Sequence, residues 1–202
     1  QWVNTSLLEA QIMMMDLQAA RYIQDGEVPG QEGNNHPTNT PTGVFPTSDG
    51  LVNIQASADH LLKRMCETLG SPEIYDNPDY KTNESRTARR EEINAEISAY
   101  TVKNTTQHWV EAFAEAGVPC GPIHSMDQVF ADPQVRTLNM DPEVHHHRLG
   151  TLKVVGQAAN LMRTPQEMHS ATPDLGQHTE EILTGMGISA DEIASLRATN
   201  VI

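Results

Sequence analysis

The segment 116–135, AGVPCGPIHSMDQVFADPQV, constrains the fold of this chain more than any other run of similar length. Gly117 predicts the end of a helix, because glycine is favoured just past a helix C-terminus. A short extended run follows the glycine. Ser125 and Gln128 then form the pattern of a capping box, and Asp132-Pro133 supplies an N-cap followed by a proline at the first helical position. The segment therefore predicts a helix end, a strand and two helix starts in close succession.

Composition excludes several classes of protein. The chain has 202 residues, enough for one domain or two small ones, and 38% of them are hydrophobic. Its formal charge of −14 argues against nucleic acid or an anionic membrane as the main partner. No apolar run approaches the roughly 20 residues that span a bilayer, and the cytoplasm is the expected compartment. Cys66 and Cys120 lack metal-binding spacing, so we expect two buried free thiols.

The first 24 residues predict a short strand over 2–8 and a helix over 8–22. Leu8, Ile12 and Met15 follow helical spacing, but neighbouring methionines widen the apolar stripe around most of the helix. Such a helix is expected to be buried on several sides. The rest of the sequence offers no obvious partner for it, and the chain starts inside this periodic segment. We therefore expect it to be part of a longer, processed or cleaved protein.

An α+β module is predicted next. Residues 24–42 are rich in Gly, Pro, Asn and Thr and are typical of a loop. Two strands, 43–46 and 51–55, flank an Asp-Gly pair that predicts a hairpin. Three helices are expected after the hairpin. The first runs from an N-cap at Ser57 to Gly70, and the second covers 87–100 with Ile93 and Ile97 inward. The third begins at Thr105 or Thr106 and has Trp109 and Phe113 inward. Residues 71–86 are interpreted as a polar connection.

The last third carries weaker signals. A strand is predicted over 152–155, and a helix over 176–187 with Ile182, Leu183 and Met186 inward. A capping box at Ser189 opens a final helix. The run His145-His146-His147 is interpreted as surface loop residues, because adjacent side chains point in different directions and zinc ligands usually share one helical face. We predict no metal ligands, and no HExxH, P-loop or GxGxxG motif occurs.

The best local candidate for a site is the run Gly33-Asn34-Asn35-His36-Pro37. Gly and Asn permit left-handed backbone and close approach of a ligand, and His36 supplies a titratable imidazole. The alternative is an interdomain linker made of turn residues. Both interpretations stay open on the local chemistry.

Several ordered motifs, taken together, resemble the family III CoA-transferases, the CaiB/BaiF family that includes formyl-CoA transferase and carnitine CoA-transferase. The matching runs are QWVNTSLLEA, GNNHPTNTPTGVFPTSDGLVNIQAS, CETLGSPE, NPDYKTNESRTARREEI, AGVPCGPIHSMDQVFADPQV and PDLGQHTEEIL. The resemblance implies an α/β fold and the C-terminal part of the usual polypeptide. It implies large-domain pieces at 1–24 and 164–202, a linker at 25–42 and a small α+β domain at 43–163. It also implies a missing N-terminal half and an interlocked homodimer.

The resemblance further implies an enzyme that moves CoA between carboxylic acids through a covalent intermediate on an aspartate. That aspartate falls upstream of Gln1, so no catalytic residue is assigned here, and the chain alone is expected to be inactive. The resemblance implies an acyl-CoA thioester and a carboxylic acid as substrates, with no permanently bound cofactor. Most cations that bind the CoA phosphates are expected outside this acidic chain. Asn35 and His36 are carried as substrate-binding candidates.

Two alternatives remain. A racemase branch of the family uses a His and Asp pair with a Glu that would align near Ser57, where residues 56–58 supply no carboxylate; Asp59 is the nearest one. This departure favours a transferase over a 2-methylacyl-CoA racemase-like enzyme. The other alternative is a non-catalytic partner half of a split protein.

Overall fold

The computed structural model describes residues 2, 4–165, 167–168 and 170–202. The chain divides into two compact units, Gln1–Ile123 and His124–Ile202. The first unit contains α1 (Leu7–Asp25), β1 (Thr42–Pro46), β2 (Leu51–Gln55), α2 (Asp59–Leu69), α3 (Pro72–Asp76), a 3₁₀ turn (Pro78–Tyr80), α4 (Asn83–Ala88), α5 (Arg90–Thr101), α6 (Thr106–Glu115) and β3 (Cys120–Pro122). The second contains α7 (Met126–Ala131), α8 (Pro133–Thr137), β4 (Glu143–His146), β5 (Gly150–Lys153), α9 (Thr179–Gly185) and α10 (Ala190–Ala198). The predicted mixture of helices and strands is confirmed.

Helix α1 begins one residue earlier than predicted, and the described residues 2 and 4–6 of the expected strand lie in no regular element. Ser6 is its N-cap and forms a capping box with Glu9, so the helix starts at Leu7. Val3, part of the predicted strand, lies outside the described residues. None of the residues of α1 is buried, and Met13 is 82% exposed. None of the helices in the described ranges is both long and apolar enough to cross a membrane.

The predicted hairpin is present, and a third strand completes an antiparallel sheet in the order β1-β2-β3. Phe45 pairs with Val52 in the register of the hairpin, and both side chains are buried. Residues on one face alternate with residues on the other, as the pleat requires. The buried face of the sheet therefore packs on the helices that follow it.

Helices α2, α5 and α6 cover that face of the sheet. Their fully or almost fully buried side chains are Leu62, Met65, Cys66, Ile93, Ile97, Trp109 and Phe113. Gly70 and Gly117 end α2 and α6 in the left-handed conformation, with φ of 72° and 69°, as predicted. The predicted N-cap Ser57 is wrong by one residue, because Ala58 occupies the N-cap of α2.

The hairpin turn is tied to the start of α6. Thr105 caps the helix, and the carboxylate of Asp49 accepts a hydrogen bond of 2.7 Å from the Thr106 amide. This bond lowers the pKa of Asp49. The Asp-Gly pair thus has a second role besides forming the turn.

The interpretation of 71–86 as a polar connection is wrong. Pro72 at a helix start opens α3, the side chain of Asn77 caps the 3₁₀ turn, and Thr82 forms a capping box that opens α4. These segments are too short to show an apolar period, but Ile74 and Tyr80 are buried among them. Local capping and two anchoring side chains therefore order a stretch whose composition resembles a loop.

The second unit confirms the predicted capping boxes at Ser125 and Ser189. The three histidines are not all in a surface loop, because β4 includes His145 and His146 and pairs with β5. His146 is 5% exposed. The inward orientation predicted for Ile182 and Met186 is also wrong, since both are exposed.

Candidate active-site loop

The segment 32–40, called the 32–40 loop below, continues the sheet beside β1. Asn35 forms an antiparallel bridge with Gly43. The His36 amide donates to the Thr42 carbonyl at 2.9 Å, and the Val44 amide donates to the Asn34 carbonyl at 3.2 Å. The loop therefore has a defined backbone conformation where its composition suggested a linker.

Gly43 makes this close approach possible. A Cβ atom at that position would lie 2.8 Å from the Asn34 carbonyl oxygen and 2.9 Å from Oδ1 of Asn35. Both distances are shorter than van der Waals contact allows. The absence of a side chain at Gly43 thus lets the backbone of the loop pack directly on β1.

Helices α4 and α5 bind the other side of the loop. The Asn83 side chain accepts from the Thr40 amide at 3.1 Å and donates to the Thr38 carbonyl at 2.7 Å. The Arg90 guanidinium pairs with Glu32 and donates to the Pro37 carbonyl at 2.8 Å. Four polar interactions therefore connect both ends of the 32–40 loop to these two helices.

Arg86 supports the same region from within the core. Its side chain is 1% exposed. Its guanidinium donates to the carbonyls of Thr40, Tyr80 and Ser57 at 2.8, 2.9 and 2.6 Å, and it pairs with Asp59 at 3.2 Å. A buried guanidinium needs such partners, because an unpaired buried charge is strongly destabilising.

His36 has one ring nitrogen engaged within the loop. Its Nδ1 accepts a hydrogen bond of 3.2 Å from the Thr38 amide. A ring nitrogen that accepts carries no proton, so Nε2 bears the hydrogen of the neutral ring. The half-buried imidazole can therefore donate a hydrogen bond through Nε2.

Asn35, the other candidate, points to α5. Its Oδ1 accepts from Nδ2 of Asn94 at 3.0 Å, and its own Nδ2 donates to the Glu32 carbonyl at 3.3 Å. Its side chain thus holds the loop, while the ring of His36 retains a donor. Substrate contact by either residue stays a prediction.

The comparisons with known proteins identify the family. The sequence model of CoA-transferase family III matches residues 1–179. This chain belongs to CoA-transferase family III. A crystal structure of a CaiB/BaiF family protein from Brucella suis is similar over 92% of this chain, with a TM-score of 0.74 and 25% identity. The predicted family and fold class are confirmed.

Curated CoA-transferases are similar over most of the chain. It is 30% identical over its whole length to succinyl-CoA–D-citramalate CoA-transferase of Chloroflexus aurantiacus. It is 32% identical over 90% of its length to succinyl-CoA:glutarate CoA-transferase of Homo sapiens. These alignments take in 51% and 42% of the two relatives. The chain thus spans about half the length of the curated relatives that it matches.

The second unit of this family III chain brings together His146, His147 and Asp174, whose potential ligand atoms all lie within 4.8 Å of one another. Their arrangement favours an ion-pair cluster over a metal site. Nδ1 of His146 accepts from the amides of Arg148 and Leu149 at 3.1 and 3.2 Å, which places the proton of the neutral ring on Nε2. Metal-ligating histidines instead donate from their second nitrogen.

Asp174 is further engaged by a guanidinium. Nη2 of Arg148 lies 2.6 Å from Oδ1 of Asp174, and this hydrogen bond lowers the pKa of the aspartate. A cation would have to compete with that pairing. This pairing agrees with the prediction, made from the sequence, that the chain supplies no metal ligand, and that statement stays a prediction.

The sequence analysis missed Arg90 and Asn94 as parts of the loop environment. Arg86 belongs to α4, and Arg90 and Asn94 lie four residues apart in α5. That spacing places side chains on one helical face and was the available signal. Charged residues on a helix are usually solvated, so the spacing alone does not distinguish a loop-binding face from a surface.

Proposed function

We propose that this chain forms part of an enzyme that moves CoA between two carboxylic acids, with a nucleophilic aspartate outside the 202 residues. Membership of CoA-transferase family III carries the proposal. A carboxylate nucleophile suits the exchange, because it divides one acyl transfer into two reversible covalent steps. On this proposal the chain supplies substrate contacts and the scaffold for them, and alone it has no activity.

The proposed acyl donor is succinyl-CoA, with a second dicarboxylic acid as the acceptor. Several relatives that match over most of this chain carry succinyl-CoA or succinate in their names, including those from Chloroflexus aurantiacus, Homo sapiens and Agrobacterium fabrum. The excess of acidic residues in this chain is consistent with CoA-phosphate ligands from elsewhere in the protein.

The proposed contribution of the 32–40 loop is a hydrogen bond from Nε2 of His36 to an oxygen of the acyl group. The bond from the Thr38 amide to Nδ1 supports this role, because it favours the tautomer that donates through Nε2. A neutral donor can stabilise the negative charge that develops on that oxygen during acyl transfer. Asn35 is proposed to act indirectly, by holding the 32–40 loop in the conformation that places His36.

The racemase-like alternative finds no support at the start of α2. Residues 56–58 supply no carboxylate, and Asp59 is paired with Arg86 at 3.2 Å. The transferase therefore remains the proposed activity.

The proposed assembly has a further segment of protein against α1, within a homodimer. Leu7, Met13 and Met14 are 87%, 82% and 79% exposed. An apolar surface of this kind marks a contact with another part of a protein. The share of the relatives that this chain covers supports a segment from the same polypeptide as the occupant.

The test is transfer of CoA from succinyl-CoA to glutarate by the complete enzyme, followed by chromatography of the thioesters. We expect His36→Ala to lower kcat/KM about ten- to a hundredfold, the effect of losing one hydrogen bond to a charged group. His36→Gln, which retains an N–H donor, should recover part of the loss. His60→Ala, at an exposed position in α2, is the matched control. Unchanged rate and Michaelis constants in His36→Ala would return the loop to a linker role.

Two further measurements separate the alternatives. Mass spectrometry of enzyme trapped with its acyl-CoA should find the covalent adduct on an aspartate peptide outside residues 1–202, and an adduct within them would refute the upstream assignment. Exchange of the substrate α-proton with deuterated solvent, without CoA transfer, would establish the racemase-like alternative instead.

A further inference from the structure

The 32–40 loop is held by Arg90 on both sides of His36. The guanidinium pairs with Glu32, four residues before the histidine, and Nη2 donates to the Pro37 carbonyl, immediately after it, at 2.8 Å. Its side chain is 18% exposed, and that of Glu32 is 28% exposed. One largely buried cation thus fixes the backbone at two points that enclose the candidate substrate-binding residue.

The hydrogen bond from Arg90 to the Pro37 carbonyl acts on the His36 ring through one peptide group. The Pro37 carbonyl and the Thr38 amide belong to the same planar unit, so fixing the carbonyl also fixes the direction of the N–H. That N–H donates to Nδ1 of His36 at 3.2 Å. Arg90 therefore controls the hydrogen bond that selects the tautomer of His36.

We propose that Arg90 is a positioning residue, which sets both the orientation and the tautomer of His36 for the acyl group through the Pro37-Thr38 peptide. The inference rests on the proposed role of His36 in CoA transfer. On this inference Arg90 acts through His36, and no contact with the substrate is assigned to it. Asn94 assists it from the next turn of α5 by donating to Oδ1 of Asn35 at 3.0 Å.

Arg89 provides a matched comparison on the adjacent residue. Its side chain is 44% exposed and pairs with Asp79 and Glu92 at 3.7 and 3.2 Å. Surface ion pairs of this kind contribute little to stability. Replacing Arg89 or Arg90 therefore removes one positive charge from neighbouring positions, but only the replacement of Arg90 also removes a contact with the 32–40 loop.

The decisive experiment is ¹⁵N NMR of the complete enzyme with labelled histidine, which reports the tautomer of each ring. We expect Nε2–H to dominate for His36 in the unaltered enzyme and in Arg89→Met, and a mixture of tautomers in Arg90→Met. Arg90→Lys keeps the charge opposite Glu32 but loses the guanidinium fork whose second nitrogen reaches the Pro37 carbonyl, so it should also show the mixture. An unchanged His36 signal in a folded Arg90→Lys enzyme would overturn the inference, even if Arg90→Met does not fold.

Kinetics of the same variants test whether the contact matters for transfer. Arg90→Lys should lower kcat about tenfold with little change in KM, because misplaced reacting groups slow the chemical step. In a His36→Ala background, Arg90→Lys should cause no further loss of kcat, since both changes act on one interaction. Fully multiplicative effects would contradict the inference. Absence of CoA transfer in the unaltered enzyme would refute the proposed function alone, and the NMR result would still decide the role of Arg90 in positioning His36.

Discussion

Helix α1 and the module made of the β1-β2-β3 sheet with α2, α5 and α6 are both rich in apolar residues, yet they differ completely in burial. In the module, Met65 and Phe113 have no exposed surface, whereas Met13 in α1 is 82% exposed. Both regions contain helices, and α1 begins with a complete capping box, although its backbone is kinked at Asp16, where φ is 24°. A capping box therefore marks where a helix begins, whereas burial depends on partners that the local sequence does not contain.

The largest expected difference lies in the response to truncation of a side chain. Phe113→Ala should lower the free energy of unfolding of the chain by about 3–5 kcal/mol, because it leaves a cavity in a closed core. At concentrations where the chain is monomeric, Met13→Ala should change it by less than about 0.5 kcal/mol, as is usual for exposed positions. Urea unfolding followed by tryptophan fluorescence measures both, since Trp109 stacks on Phe113 at 5.4 Å. Equal effects would show that α1 is packed in solution.

The second expected difference is that α1, and not the module, mediates association of the isolated chain. We expect it to oligomerise through α1, and Met13→Lys with Met14→Lys should lower the association constant at least about tenfold, because a buried Met side chain contributes about 1.5–3 kcal/mol. Val102→Lys, on the exposed surface of the module, should leave association unchanged. Light scattering across a concentration series is the measurement. A monodisperse monomer of the unaltered chain would contradict this prediction.

Alkylation and oxidation compare the burial of single side chains in α1 and in the module. Burial raises the pKa of the Cys66 thiol to about 12, so it should resist alkylation at pH 8 until the module unfolds. Cys120 is only half-buried, and the prediction of two buried thiols is therefore right only for Cys66. Peroxide should oxidise Met13 before Met65. Peptide mass spectrometry reads both reactions, and rapid modification of Cys66 or Met65 would mean that the core opens readily.

The sequence predicts those parts of the fold that depend on neighbouring residues. The hairpin at Asp49-Gly50, the helix ends at Gly70 and Gly117 and the box at Ser125 each follow from local rules, and each is confirmed. Arg86 shows what local rules miss. It lies in a polar run that resembles a loop, yet it is buried because carbonyl groups from three separate segments converge on it. Such convergence requires the folded chain.

The candidate site also contains some features that the sequence predicts and others that depend on the folded chain. The sequence identifies 33–37 as a candidate site that a ligand could approach closely, whereas the close approach in the structure is that of the loop backbone to β1 at Gly43. The sequence does not reveal that Asn83, Arg90 and Asn94 bind the loop, because a helix face that contacts a loop has the same composition as a solvated one. Nor does it reveal which ring nitrogen of His36 is engaged, since that depends on the orientation of one peptide.

The smallest expected effect concerns two carboxylates that act at helix starts. Hydrogen bonds from the Thr106 amide to Asp49, and from Ser6 to Glu9, lower the pKa of each acid. A carboxyl group with a lowered folded-state pKa stabilises the fold above its ordinary pKa, and the contribution is lost as the pH falls through the lowered value. Asp49→Asn should therefore lower the Tm of the module at pH 7, and the difference should shrink below about pH 4.

Glu9→Gln is the control in α1 for that pH series. It removes the same kind of charge from a capping box, but α1 contributes no buried residue, so the unfolding transition of the module should stay where it is. Calorimetry from pH 7 to pH 3 compares the two variants. If the effect of Asp49→Asn were independent of pH, the charge of Asp49 would not be what joins the hairpin turn to α6. If Glu9→Gln shifted the transition as much as Asp49→Asn, α1 and the module would unfold as one unit, and their contrast in burial would not extend to stability.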